Sequence, residues 1–133
     1  MLTPTPAHAQ ADTTKVPTFN EDVATILYNN CASCHRAGQM APMSLASYKE
    51  ARPWARAIKG KVLAREMPPW FADTRYGNFL NELLLTQDQI DTIVAWADAG
   101  APEGVGEAPA LPTFTDGWAH PSGDDPDFVI EMP

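Results

Sequence analysis

The stretch that decides the fold is Cys31-Ala32-Ser33-Cys34-His35, in which two thiols three positions apart are followed at once by an imidazole. These are the only two cysteines of the chain, and the other histidines, His8 and His120, lie in proline-rich flanks. A structural zinc site needs four Cys or His ligands, which makes zinc a poor explanation. A thioredoxin-like pair needs a βαβ context, and no alternating strand pattern surrounds this one. A disulfide between Cys31 and Cys34 would leave His35 unexplained.

The pattern C-x-x-C-H is instead typical of covalent attachment of c-type haem. Each thiol can add to one vinyl group at the porphyrin edge and form a thioether. The adjoining histidine is then held beneath the iron as its proximal ligand. The sequence therefore predicts one haem c, bound covalently through Cys31 and Cys34, with His35 as an iron ligand.

The chain is expected to fold as one domain, over residues 18–104, between two proline-rich ends. A domain of this size has little core of its own, and a buried porphyrin would add apolar mass. Residues 1–17 are interpreted as a signal-peptide remnant or disordered leader, because Ala7-His8-Ala9 resembles a signal-peptidase site. Residues 105–133 are interpreted as an extended, proline-rich, acidic tail or linker. We expect this tail to lie along the domain surface, so that truncation after Gly104 would leave the haem spectrum nearly unchanged.

The charge pattern excludes some partners and suggests others. The formal net charge of −8 argues against nucleic acid, which needs a basic surface. Six of the nine Lys and Arg residues lie between Lys49 and Arg65, whereas eleven acidic residues follow from Glu82 onward. The basic segment is either a solvated helix face or a docking surface. No stretch approaches the roughly 20 apolar residues of a membrane span.

Three helical stretches can be predicted from their start and stop signals. The first starts at the capping box Thr18-x-x-Glu21 and runs into Cys31, and the last starts at Thr86-x-x-Gln89 and stops at Gly100. Its apolar residues Ile90, Ile93, Val94 and Ala97 share one face, and Leu85 with Ile90 forms a hydrophobic staple. Between them, Ser47-x-x-Glu50 opens a short turn. Pro53 then starts a longer helix, with Trp54, Ile58 and Val62 spaced by four and Pro68-Pro69 as its end.

This order of elements resembles the class I cytochrome c fold. In that family an N-terminal helix leads into C-x-x-C-H, and a middle helix and a Met-Pro pair precede a C-terminal helix that crosses the first. The resemblance covers residues 18–104 and implies an all-α domain of three main helices around one covalently attached haem. Three segments, Ala41-Pro42-Met43-Ser44-Leu45, Ala51-Arg52-Pro53-Trp54-Ala55 and Met67-Pro68-Pro69-Trp70, further resemble bacterial cytochrome domains found beside thioredoxin-like or copper-monooxygenase-like domains. Where that branch has a histidine after Met-Pro-Pro-Trp, this chain has Phe71.

The resemblance also implies the sixth iron ligand. Class I cytochromes place a methionine between the middle and C-terminal helices, and Met67, followed by Pro68, matches that position. A neutral thioether favours Fe(II) and raises the reduction potential relative to a second histidine. Met40 and Met43 remain alternatives within chain reach of His35. His120 and the terminal Met1 and Met132 are poorer candidates.

Five further residues are candidate haem contacts. Pro42 is expected to direct a backbone carbonyl at the second nitrogen of His35, or else to be a simple turn proline. Arg52, Trp54, Arg56 and Trp70 are candidate donors to the haem propionates, with apolar packing as the alternative for both tryptophans.

The predicted function is one-electron transfer through a His35/Met67-ligated haem, by a free carrier or by one domain of a larger protein, and not catalysis by the chain itself. Its partners would be other redox proteins. Covalent haem attachment takes place on the outer side of the bacterial membrane, so a periplasmic or otherwise exported location is expected. One alternative is a haem-based ligand sensor or peroxidase-like enzyme with a displaceable sixth ligand, although no distal histidine is evident. A structural or interaction module, with the haem incidental, is the other.

Overall fold

The described part of the computed structural model, residues 15–77, 79–80, 82–115, 125 and 127–130, contains helices and no strands. The helices are α1 (Ala24–Asn30), α2 (Tyr48–Ala51), α3 (Ala55–Leu63) and α4 (Gln87–Asp98). A π-helical turn, Phe19–Val23, runs directly into α1, and a 3-10 turn, Arg52–Trp54, joins α2 to α3. A further 3-10 turn, Thr74–Tyr76, lies between α3 and α4. The described residues therefore form three main helical stretches, and the expected all-α class is confirmed. The expected leader lies outside the described residues, apart from 15–17.

The core forms where both ends of the domain meet. Phe19, at the start of the first helical stretch, and Trp96, on α4, are fully buried, with ring centroids 6.2 Å apart. Tyr28 and Tyr48 pack against the same Phe19 ring. The other large side chains that are fully buried are Leu27, Ile93 and Val23. The first and last helices therefore share one core, and α3 packs on α4 beside it.

The two predicted capping boxes have different outcomes. At α4 the prediction is confirmed: Thr86 Oγ1 accepts the Gln89 N–H, and the Gln89 side chain accepts the Thr86 N–H. Leu85 and Ile90, the expected staple, are both buried. At Thr18 the prediction is wrong, because the side chain makes no cap hydrogen bond and the Thr18 N–H donates to Asp22 at 2.8 Å. The chain starts there with a π-helical turn, in which the Val23 N–H reaches back five residues to the Thr18 carbonyl.

The middle stretch begins as predicted but ends early. Ser47 caps α2 through the Glu50 N–H, and Ile58 and Val62 are buried. Trp54, expected on the same apolar stripe, is instead 43% exposed, because the 3-10 turn shifts the buried face to Ala51 and Ala55. The helix ends at Leu63, well before the two prolines. Arg65 adopts a left-handed conformation with φ of 53°, and the Glu66 N–H closes the helix end on the Lys61 carbonyl.

The segment after α4 returns to the start of the domain. Gly100 and Ala101 both have positive φ and turn the chain back, and the Ala101 N–H bonds to the Trp96 carbonyl. The Pro102 carbonyl then accepts hydrogen bonds from Trp96 Nε1 and from the Phe19 N–H. The Glu103 carbonyl accepts from the Asn20 N–H at 2.9 Å. The strap, defined here as residues 101–115, is thereby anchored across the first helical stretch.

The strap continues past the predicted boundary at Gly104 without leaving the domain. Asn20 donates through its side chain to the Gly106 carbonyl at 2.8 Å, and Ala108 and Phe114 pack against the core. Within the described residues, no helix is long and apolar enough to cross a membrane.

Candidate functional site

The cysteine–histidine stretch forms a tight turn at the carboxyl end of α1. The Cys31 N–H continues the helix by bonding to the Leu27 carbonyl, and the N–H groups of Cys34 and His35 both donate to the Cys31 carbonyl, at 3.1 and 2.8 Å. Ala32, between the thiols, is fully buried and anchors the turn in the core. These backbone hydrogen bonds define the geometry of this attachment turn, Cys31–His35.

The imidazole of His35 is oriented by the loop that follows the turn. Its Nδ1 lies 3.3 Å from the Met43 carbonyl oxygen, and its own carbonyl accepts the Leu45 N–H at 2.9 Å. The tautomer protonated at Nδ1 donates to Met43 and leaves a lone pair on Nε2 for a metal ion. The carbonyl expected from Pro42 is thus supplied one residue later, and Pro42 itself is exposed.

The two thiols are free and differ in environment. Cys34 is exposed, whereas Cys31 is half-buried, and burial is the main cause that raises the pKa of its thiol to about 12. Redox-active C-x-x-C pairs depend on the opposite shift, a thiol pKa lowered toward neutrality. Cys31, the first thiol of the pair, therefore lacks the electrostatics of a catalytic nucleophile.

The three candidate methionines occupy different environments. Met67 lies in the loop after α3, with its side chain 41% exposed. Met40 is 88% exposed, in the loop between the attachment turn and α2. Met43 packs against the core, and its carbonyl faces Nδ1 of His35. The Met43 backbone thus lies on the Nδ1 side of the imidazole, and its side chain packs into the core.

Trp70 has a buried polar atom without a partner. The indole Nε1 is shielded from solvent and makes no hydrogen bond within the described part of the chain, while its ring packs edge-on against Phe79 at 5.7 Å. A buried donor left unsatisfied costs about 1–3 kcal/mol, so such groups are rare without a reason. An acceptor supplied by a bound group would remove this cost.

The same region displays apolar side chains on the surface. Between α3 and α4, residues 63–83 contain large hydrophobic side chains that are more than two-fifths exposed: Leu63, Met67, Phe71, Tyr76, Phe79, Leu80 and Leu83. Soluble domains seldom leave so much apolar surface in one segment unless it binds something. Together with the unpartnered Trp70 indole, this segment has the composition expected of one wall of an apolar cofactor site.

The remaining candidates are not all brought together. Arg52, Trp54 and Arg56 are all exposed on the middle helical stretch. Trp54 is two residues from each arginine, a spacing at which helical side chains do not face each other. Arg56 lines the groove between α3 and α4, together with Gly60 and Asp98. Trp54 therefore does not converge with the arginines, whereas Arg52 and Arg56, four residues apart, are spaced to lie on one face.

One contact at the attachment turn was not anticipated from the sequence. The Arg36 guanidinium donates to the Ser33 carbonyl inside the turn and lies over the Phe114 ring, 4.6 Å from its centroid. No local sequence signal links residues 36 and 114, because the contact depends on the path of the strap.

Protein ligands alone do not assemble a metal centre in the part of the chain that the structure describes. No group of three or more His, Cys, Asp or Glu side chains there is placed to hold an ion. His8 and His120 lie outside the described residues. Searches against protein-family models, curated proteins and solved structures found no match for this chain.

Proposed function

We propose that this chain is a monohaem c-type cytochrome that transfers single electrons, with haem c attached through Cys31 and Cys34 and ligated by His35 and Met67. The observation that carries the proposal is the attachment turn itself. It places two thiols and an imidazole at the end of α1, with His35 Nδ1 facing a backbone carbonyl at 3.3 Å. When bound, haem c supplies a reversible Fe(III)/Fe(II) couple.

The chain's own residues fit such a group on three counts. The Met43 carbonyl favours the His35 tautomer that leaves Nε2 free for iron, as carbonyls do for metal-bound histidines. The Trp70 N–H is a buried donor in need of an acceptor, and a propionate carboxylate is one. The exposed apolar side chains of residues 63–83 would exclude water from a porphyrin face.

The resemblance favours Met67 as the second iron ligand, and the positions of the other two methionines support that choice. The Met43 backbone lies on the Nδ1 side of the imidazole, and Met40 belongs to the same short loop, between His35 and Leu45. Met67 instead lies in the partly exposed apolar segment that contains Trp70.

Electron transfer needs a partner, and the basic segment between Lys49 and Arg65 offers a surface for an acidic one. Lys59 pairs with Asp98 and Lys61 with Glu66, whereas Lys49, Arg52 and Arg56 are exposed and make no ion pair within the described ranges. Attraction between exposed charges is screened by salt. If this segment docks the partner, the bimolecular transfer rate falls as ionic strength rises.

The proposal is tested first by asking whether haem stays with the polypeptide. Haem held only by ligand bonds is extracted into acidified organic solvent, whereas thioethers survive denaturation. We expect the absorbance to remain with the wild-type protein and to be lost from the Cys31→Ala, Cys34→Ala variant. Intact haem extracted from wild-type protein would refute covalent attachment.

The second test separates electron transfer from ligand sensing or peroxidase-like catalysis. Ferric haem with His/Met ligation shows a weak far-red thioether-to-iron band. We expect Met67→Ala to lose that band and to open the iron to carbon monoxide, whereas the matched variants Met43→Ala and Met40→Ala retain it. Wild-type protein that binds carbon monoxide rapidly would favour the sensor or enzyme alternative.

A further inference from the structure

The strap ends against the residue that follows the axial histidine. After its anchors at Pro102, Glu103 and Gly106, it runs to Phe114, whose half-buried ring packs on the core and stacks under the Arg36 guanidinium. Arg36 in turn donates to the Ser33 carbonyl, between the two cysteines. A continuous series of contacts thus joins the C-terminal strap to the attachment turn.

We propose that Phe114 is a positioning residue for the haem, acting through Arg36 to hold the attachment turn. This inference rests on the proposed function, because it assigns the strap a role at the same site. The strap would then be part of the cofactor site and not only a connection leading away from the domain.

The physical argument concerns the carbonyl of Ser33 and the rigidity of the turn. The backbone hydrogen bonds donated by Cys34 and His35 join only residues within the turn, because both N–H groups donate to the Cys31 carbonyl. Ser33 and Cys34 are exposed to solvent. The Arg36 guanidinium holds the turn from outside, and the Phe114 ring limits where that guanidinium can lie. The interaction energy of a cation–π contact at such a site changes the equilibrium for local opening of the turn by roughly two- to fivefold.

The Phe114 ring also lies close to the attachment turn, beneath the guanidinium that donates to the Ser33 carbonyl. Removing the ring admits water beside the attachment turn, and a more polar environment favours the more highly charged ferric iron. Loss of the Phe114 ring is therefore expected to lower the reduction potential as well as to loosen the turn.

The experiment measures both effects on the haem-loaded, full-length chain. In Phe114→Ala, hydrogen exchange of the Cys34 and His35 amides is expected to accelerate roughly two- to fivefold, with a lower midpoint potential. Exchange in α4 should not change. Phe114→Tyr keeps an aromatic face and should restore both values. Leu111→Ala, which removes an exposed apolar side chain of the same strap, should change neither.

Coupling between the two residues provides the decisive comparison. If Phe114 acts through Arg36, the effect of Phe114→Ala on hydrogen exchange of the Cys34 and His35 amides disappears in an Arg36→Gln background, where the cation is already missing. Additive effects of the two substitutions, or equal effects of Leu111→Ala and Phe114→Ala, would overturn the proposal. Wild-type protein without covalent haem would instead refute the proposed function, and the extraction experiment detects that failure separately.

Discussion

Replacing Trp70 with phenylalanine tests whether the unpartnered indole serves a bound carboxylate. The substitution keeps an aromatic ring beside Phe79 but removes the Nε1 donor, which is buried and has no partner in the described part of the protein chain. Without an acceptor, that donor costs about 1–3 kcal/mol, so its removal would be neutral or stabilising. With a propionate as acceptor, the charge-assisted hydrogen bond contributes about 1.5–3 kcal/mol, so its removal destabilises the haem-loaded protein.

We therefore expect the free energy of unfolding of the haem-loaded protein, measured by denaturant titration, to fall by about 1.5–3 kcal/mol in Trp70→Phe. The matched control is Trp54→Phe, at a tryptophan that is exposed, where the change should lie within about 0.5 kcal/mol. The smaller ring also removes packing contacts, but that loss does not depend on pH. The hydrogen-bond part weakens as the pH falls below about 4, where a carboxylate is protonated. The role in propionate binding would be refuted if Trp70→Phe were as stable as Trp54→Phe. It would also be refuted if Trp70→Phe lost the same free energy of unfolding above and below about pH 4.

Three further predictions follow from local geometry. Gly104 has φ of 90°, and a Cβ there would collide with the Thr18 side chain, whereas Gly106 has φ of 74° and open space around it. Gly106→Ala therefore carries only the backbone strain of about 1 kcal/mol. We expect Gly104→Ala to lower the midpoint of thermal unfolding further than Gly106→Ala. Thr86→Ala removes half of the capping box of α4 and should reduce the free energy of unfolding by about 1 kcal/mol, and an unchanged denaturation midpoint would contradict the cap. In protein produced without haem, alkylation should modify the exposed Cys34 first, as detected by mass spectrometry. Cys31 should react slowly at pH 8 and faster as the pH rises toward 12, because burial raises its pKa and only the thiolate reacts. Equal alkylation rates of the two thiols at pH 8 would contradict that shift.

The elements that could be predicted from the sequence are set by residues close together in the chain, although the equally local capping box at Thr18 does not form, because Asp22 takes the Thr18 N–H. The cap at Thr86 needs only a hydroxyl and an amide three residues apart, and Gly100 supplies the positive φ that stops α4. The attachment turn is likewise a local motif. These signals are independent of the rest of the fold, which is why they survive in the structure.

The features that could not be predicted depend on partners distant in sequence or on residues that break local preferences. Trp96 is fully buried because its indole reaches the Pro102 carbonyl and the Phe19 ring, which the apolar pattern of α4 does not indicate. Arg65 ends α3 in a conformation usually taken by glycine, so no stop signal marks it. At the site, the cysteine–histidine motif could be identified from the sequence, but the Met43 carbonyl and the Arg36–Phe114 contact follow from loop paths that no spacing rule encodes.

The return of the chain after α4 has a consequence for how the protein is made. The opening amides of the first helical stretch, those of Phe19 and Asn20, find their acceptors on Pro102 and Glu103, more than 80 residues later. During synthesis those acceptors appear only after all four helices have been translated. A chain exported from its amino end would likewise present the cysteine pair at the end of α1 before those acceptors arrive, so the enzymes proposed to attach haem would meet an open chain before they meet a closed domain.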